Sequence, residues 1–374
     1  MKRNIFEKIE LHEVFKQESV LYPDFLPDKL PFREKEIDEL VFCLKPLASG
    51  RKPLSALVLG RTGLGKTVSV KHVLGQLEDF TDKAKGLYIN CYEFNSRYAV
   101  FFALLSALGR VVPRRGLAVD ELYTALLEVM KKTDFVPVIV LDEFDQLLQN
   151  DEGQAVLYDL LRLPEQAGKG KLALIVLSND FEIMSKLEDR VKSSFGAQEI
   201  IFNPYTPIQL KQILRERSDL AFQKNALDDE VINVSAAHAG KLGGDCRVAI
   251  ECLLKAGRIA EKKNSSKVKI EHLQEAFELV QQTQGKKALA FLDAEEKIIL
   301  RILLEKSPIP SSELYEKFNS LSEKTFTPRT IRNFLYSLEK KQVISLDQEK
   351  GLNKTLQISL KINNDTVQQF FSQK

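Results

Sequence analysis

The stretch LSALVLGRTGLGKTVSVKHVLGQL, residues 54–77, decides how the rest of the chain is understood. It opens with a short apolar run closed by glycine, the pattern of a buried strand, and ends with apolar residues at helical spacing. Between them, Gly60-x-x-x-x-Gly65-Lys66-Thr67 matches the template of a loop that cradles phosphates. Gly60, Gly63 and Gly65 let backbone N–H groups close around an anion. The helix that follows adds the partial positive charge of its N-terminus. Lys66 is expected at the β- and γ-phosphates of a bound nucleotide and the Thr67 hydroxyl at Mg²⁺, with Leu64 and Val68 completing the run. Leu64 is the odd member, because phosphate chemistry gives no reason for a large apolar side chain there.

A nucleotide site needs a second element to hold the metal. PVIVLDEFD, 137–145, is a strand pattern ending in Asp142-Glu143. Asp142 is suited to bind Mg²⁺ through water, and Glu143 to orient and polarise an attacking water. The same residues are also what an acidic helix cap after a strand looks like. KLALIVLSND, 171–180, places Asn179 at a third strand tip, where its amide would hold the water or the γ-phosphate; asparagine is also a common turn residue. GGDCRVAIECL, 243–253, puts Arg247 in the first turn of a helix, where a cation opposes the helix dipole. That conflict implies another partner, and a phosphate in a cleft is one. In LEDRVKSSFG, 187–196, Arg190 is a candidate finger for a neighbouring subunit's nucleotide, or simply a salt-bridge partner of Glu188 or Asp189.

Strand-like runs alternate with helical patterns up to Pro204: LSALVLG, GLYINCY, PVIVLD, KLALIVLS and QEIIFN. This predicts a parallel five-stranded sheet covered by helices on both faces. Residues 205–284 carry four helical patterns and form a small all-helical lid. QTQGKKALA, 282–290, marks a junction. Residues 285–374 then give three short helices and two strand-like runs, VISLD and TLQISL, the layout of a winged helix. The fold class is therefore α/β plus α, divided as 1–204, 205–284 and 285–374. The proline-punctuated start, LYPDFLPDKLPF, suggests an extended arm.

With 374 residues, 44% of them apolar and 28% charged, the composition is that of a globular chain of two or three domains. Its longest apolar runs fall short of the roughly 20 residues a membrane span needs. No secretory signal is evident, and Cys43, Cys91, Cys246 and Cys252 are too scattered for a zinc site or a disulfide framework. A cytoplasmic protein with no membrane partner is expected. Residues 285–374 hold 15 Lys and Arg against 11 Asp and Glu, a mildly basic end that suits nucleic acid or a plain solvated surface. Within it, TPRTIRNFLYSLEKK opens with a good cap pair, Thr327-Pro328. Ile331, Leu335 and Leu338 make its buried stripe. Arg329, Thr330, Arg332 and Asn333 fall largely on other faces, placed to reach base edges in a major groove. Lys350 and Lys354 flank Gly351 in the wing and suit phosphate contact. Binding to protein is the other use of such a module.

These elements, in this order, resemble the AAA+ ATPases, and more narrowly the archaeal origin-recognition and cell-division-control replication initiators. VFKQESVLYPDFLPDKLPFREKEI, LDEFDQLL, LSND, DRVKSSFG, NPYTPIQLKQILRER and GGDCRVAIECL carry the likeness. The resemblance implies ATP or ADP with Mg²⁺ as cofactors. It also implies slow hydrolysis serving as a switch, double-stranded origin DNA and the replicative helicase as partners, a second initiator subunit on DNA, and work on the nucleoid. It implies that Asn179 and Arg247 are sensor residues, that Arg190 is the finger, and that Tyr205 and Arg217 contact nucleotide rather than merely pack the lid. It also implies an inserted DNA-contacting motif between the second and third strands, where Arg114 and Arg115 lie. Two contact regions would clamp or bend a duplex. PFRE stands where PHRE is usual, which weakens the case for base contacts by the arm. A remodeller or loader acting on protein, and an ATP-regulated transcription-control protein, are the rival functions.

Overall fold

The structure, a computed structural model, describes residues 13–113, 116–149, 152–322, 324–348 and 356–372. The chain divides into a unit of Phe15–Ile250 and a second built on Glu251–Lys374.

In the first unit, α1 (Glu34–Leu44) leads to β1 (Ala56–Leu59), the phosphate-loop candidate at 60–65 and α2 (Lys66–Phe80). β2 (Ala84–Asn90), α3 (Arg97–Ala107), α4 (Val119–Lys132) and β3 (Val136–Asp142) follow. The sheet is completed by the short α5 (Phe144–Leu148), α6 (Gly153–Gln166), β4 (Ala173–Ser178), α7 (Ile183–Lys186), α8 (Asp189–Phe195) and β5 (Gln198–Ile201). The five strands run parallel in the order β2-β3-β4-β1-β5. β4 is buried along its whole length and β3 along nearly all of it, because helices cover both faces of the sheet.

Strand residues alternate between two cores, as a period of two requires. Leu57, Leu59, Ile139, Leu141 and Val176 pack with Phe101, Leu126 and Leu160 of α3, α4 and α6. Val58, Val138, Val140, Ile175 and Leu177 pack with Leu40, Leu44, Val70 and Val73 of α1 and α2. The strand order sets the C-terminal ends of β3, β4 and β1 side by side. With Leu59 in register with Ser178 and Leu141 with Val176, Gly60 emerges level with Asn179, and Asp142 two residues short of them. This is where a doubly wound sheet collects its ligands.

The arm is not a free extended segment. Glu18–Leu21 forms a 3₁₀ turn with Val20 and Leu21 buried, Phe15 stacks on Phe222, and the N–H groups of Lys16 and Gln17 donate to the Ala221 carbonyl at 2.8 and 3.0 Å. Its side chains find apolar partners on the first lid helix, which the prolines alone did not reveal.

All four expected lid helices form: α9 (Pro207–Ala221), α10 (Asp229–Lys241), α11 (Cys246–Lys262) and α12 (Ile270–Ala290). The division between the two units falls inside α11. The stretch 282–290 is no break, since α12 runs through it as one helix of 21 residues. Gly285 serves close packing rather than a break, for a Cβ there would lie 2.8 Å from Ile362 Cγ2. The second unit continues with α13 (Ala294–Glu305), β6 (Ile309–Pro310), α14 (Ser311–Leu321), α15 (Pro328–Lys340), β7 (Ile344–Gln348), β8 (Leu356–Leu360) and α16 (Asn364–Ser372). The strands pair antiparallel in the order β6-β8-β7. The three helices and hairpin are as expected, while β6 and α16 carried no clear signal. Ile299, Leu303, Phe318, Ile331, Leu335, Leu338 and Ile358 form the core of this module.

Candidate nucleotide site

The phosphate loop is built as its spacing requires. Gly63 (φ 76°) and Gly65 (φ 89°) lie in the left-handed region, where a side chain costs strain. Space forbids one as well: a Cβ on Gly63 would overlap the Asp245 carboxylate, and one on Gly65 would sit 2.9 Å from Tyr205 Oη. Leu64 now has a physical account. It is 1% exposed and belongs to the core beneath the loop, with Val58, Val70 and Phe202. It anchors the loop from below and leaves the phosphate groups alone. Val68 is half-buried in the first turn of α2.

Lys66 is buried, with its ammonium satisfied inside the loop by the carbonyls of Gly60 (2.6 Å) and Arg61 (2.8 Å) and by Asn179 Oδ1 (2.9 Å). Burial pulls its pKa down to about 8. Arg247 pushes the same way, while Asp142 opposes both. Incoming phosphate oxygens would replace these neutral acceptors with charged ones.

Asp142 carries a full set of partners. Its Oδ2 accepts from the Thr67 hydroxyl and from Tyr88 Oη, both at 2.7 Å, and its Oδ1 accepts from the Glu143 N–H at 2.8 Å. The Thr67 hydroxyl and the Asp142 carboxylate thus meet as a pair of hard oxygen donors. Among the described residues no group of three or more His, Cys, Asp or Glu could hold a metal. A hydroxyl and a carboxylate fit Mg²⁺, which takes few protein ligands and completes its octahedron with water and phosphate. Glu143 has a left-handed backbone, φ 54° and ψ 40°, an uncommon state for a non-glycine residue. Its pKa is raised by burial first and then by Asp142 and Asp145, as suits a group that polarises water. Asp145 accepts from the Ser178 hydroxyl and the Asn179 N–H, both at 3.1 Å, and so ties the β4 tip to the β3 tip.

On the lid side, Asp245 accepts from the Arg247 N–H at 2.9 Å and faces the Arg247 guanidinium at 3.6 Å. This carboxylate offsets the dipole conflict, and Arg247 remains close enough to act on Lys66 and Glu143. Tyr205 is buried, its hydroxyl accepting from Arg33 Nε at 2.9 Å. Arg217 faces the arm, donating to the Val20 carbonyl at 2.8 Å and lying 4.6 Å from the Phe25 ring centre.

Sequence reasoning missed Tyr88, Asp145 and above all Arg33. Arg33 is 3% exposed and sits just before α1. The dipole argument that singled out Arg247 applies there equally and would have found it. Tyr88 and Asp145 carried no comparable signal.

The remaining candidates lie elsewhere. Arg190, exposed on α8, pairs with Glu188 at 2.6 Å and lies 5.1 Å from the Tyr158 ring centre; the ion pair is the alternative weighed above. On α15, Thr327 caps the helix, Ile331, Leu335 and Leu338 are buried, and Arg329, Arg332 and Asn333 are exposed, with Thr330 intermediate. Arg114, Arg115, Lys350 and Lys354 lie outside the described residues. Among the described residues no helix is long and apolar enough to cross a membrane.

Comparisons with known proteins agree with this geometry. Residues 50–183 match the AAA domain, and residues 211–278 match the Cdc6 AAA+ ATPase-type lid domain. The chain is 31% identical to the ORC1-type DNA replication protein 1 of Sulfurisphaera tokodaii, over 99% of this chain and 96% of the relative. It is 35% identical to the ORC1-type DNA replication protein 1 of Aeropyrum pernix, over 83% and 81%. The solved Aeropyrum pernix ORC1 protein in complex with DNA superposes with a TM-score of 0.79 at 31% identity, covering 97% of each chain. An AAA+ core with its strand tips converging on a phosphate loop, closed by a Cdc6-type lid, places the chain in the family of ORC1-type DNA replication initiators, as an AAA+ ATPase.

Proposed function

We propose that the protein binds duplex origin DNA and uses ATP as a slow switch that regulates recruitment of the replicative helicase. It would act in the cytoplasm on the nucleoid, and the segments 1–204, 205–284 and 285–374 would serve as nucleotide core, lid and DNA module. In this reading Lys66 and the loop N–H groups hold the phosphates, and Thr67 and Asp142 hold Mg²⁺. Glu143 and Asn179 position the attacking water, Arg247 senses the γ-phosphate, and Tyr205 and Arg217 line the base and ribose. Arg190 would serve a second initiator subunit on the same DNA after leaving Glu188. The observation that carries the DNA reading is α15, which buries Ile331, Leu335 and Leu338 and leaves Arg329, Arg332 and Asn333 in solvent at the end that enters a groove. The DNA-bound Aeropyrum pernix relative supports it. Lys350 and Lys354 would add phosphate contacts beside α15, and the stretch between α3 and α4 that carries Arg114 and Arg115 would supply the second contact region.

The test is footprinting on origin and random duplex at matched salt, with ATP and with ADP. Preference for the origin is expected, with Arg329→Ala and Arg332→Ala each weakening binding by about 5- to 100-fold while ATP binding is unchanged. Equal affinity for both duplexes would overturn the reading.

A further inference from the structure

Arg33 is placed to shape the phosphate loop from outside. Every donor side of its guanidinium is engaged. Nε lies 2.9 Å from both the Leu64 carbonyl and Tyr205 Oη, Nη1 pairs with Glu36 at 2.8 Å, and Nη2 donates to the Asn203 carbonyl at 2.8 Å. The group also stacks on Tyr205, 3.9 Å from the ring centre. It therefore joins three segments distant in sequence: the start of α1, the phosphate loop and the segment before α9.

The bond to Leu64 matters most. The peptide between Leu64 and Gly65 is trans, so its C=O and N–H point in opposite directions. Holding the Leu64 carbonyl outward aims the Gly65 N–H inward, into the concave side of the loop. The preceding peptide is held in the same way, since the Cys246 N–H donates to the Gly63 carbonyl at 3.2 Å, which aims the Leu64 N–H inward. Two successive peptides of the loop are thus oriented by partners outside it, one from the entry to α1 and one from the lid.

We propose that Arg33 is a positioning residue for phosphate binding, holding the Leu64–Gly65 peptide with its N–H facing the β-phosphate. This rests on the nucleotide reading above. Without Arg33 the peptide is free to rotate, and the loop must be ordered at the moment of binding. The effect falls on the phosphate beyond the first, because AMP offers nothing to that part of the cradle.

The experiment compares ADP and AMP binding to the full-length protein with Mg²⁺, by calorimetry, for wild type, Arg33→Gln and Arg33→Lys. Wild type should prefer ADP. Arg33→Gln should lose about tenfold or more in ADP affinity with little change for AMP, so that the ADP-to-AMP ratio collapses. Arg33→Lys, which keeps the charge and one donor direction, should fall between them and serves as the test should the glutamine variant fail to fold. A loss shared equally by ADP and AMP would assign Arg33 to general architecture and overturn the proposal, as would an unchanged ratio. Failure of wild type to bind ADP would instead overturn the nucleotide reading itself.

Discussion

The nucleotide core and the C-terminal module both bury charge, but to different ends. Around the phosphate loop, Arg33, Lys66, Asp142 and Asp145 are all under one-tenth exposed, and their partners come from several separate segments. Lys66 is held by neutral carbonyls and an amide, which phosphate oxygens would replace in the proposed reading. In the C-terminal module the buried carboxylate is Glu296, fully covered. It accepts from Lys341 Nζ at 2.6 and 2.8 Å, from the Ser337 hydroxyl at 2.7 Å and from the Asp293 N–H at 3.0 Å. That cluster fastens α13 to α15 and has nothing to exchange. Arg329, Arg332 and Asn333, the residues of this module proposed to meet DNA, stand in solvent. In the proposed reading, buried charge is poised for a ligand in the first region, whereas in the second it is architectural.

The sharpest way to break this contrast is Lys66→Ala. Charge-assisted bonds to phosphate are worth about 1.5–3 kcal/mol each, so losing two should lower nucleotide affinity at least about 100-fold while the fold persists. Calorimetry with ADP, beside a melting curve, checks both halves; unfolding without nucleotide would make Lys66 architectural too. Glu296→Ala should do the reverse. It leaves Lys341, itself 29% exposed, without its anion, at a cost of about 2–3 kcal/mol after allowing for that exposure. Hydrogen exchange should report it as lost protection in α13 and α15, with ADP affinity unchanged. A smaller effect sharpens the first region. Tyr88→Phe removes one neutral hydrogen bond to Asp142, worth about 1 kcal/mol, so the Mg²⁺-dependent part of ADP binding should weaken about fivefold. An unchanged Mg²⁺ dependence would remove Tyr88 from the site.

The same contrast explains what the sequence disclosed. Phosphate-loop chemistry imposes fixed spacing, so Gly60, Gly65, Lys66 and Thr67 stood out as candidates at once, and Asp142, Glu143 and Asn179 became candidates by lying at strand ends. Strand order completed the site by setting those ends together. What escaped was contact between segments far apart in sequence. The bond from Arg33 to the Leu64 carbonyl spans 31 residues, that to Tyr205 spans 172, and no local pattern encodes either. Leu64 looked anomalous because only the folded core gives it a role. The stretch 282–290 looked like a junction because the sequence does not show Ile362 lying against Gly285. On α15 the buried stripe was readable, whereas the contacts of Arg329 and Arg332 depend on a partner.

Glu143→Gln is the most direct measurement. Hydrolysis is proposed to depend on Glu143, nucleotide binding on Lys66 and DNA contact on α15. The variant should therefore bind ATP with near wild-type affinity and keep its affinity for duplex DNA. Its single-turnover hydrolysis should fall by about two orders of magnitude or more. Near-normal hydrolysis, or loss of ATP binding with it, would contradict the account.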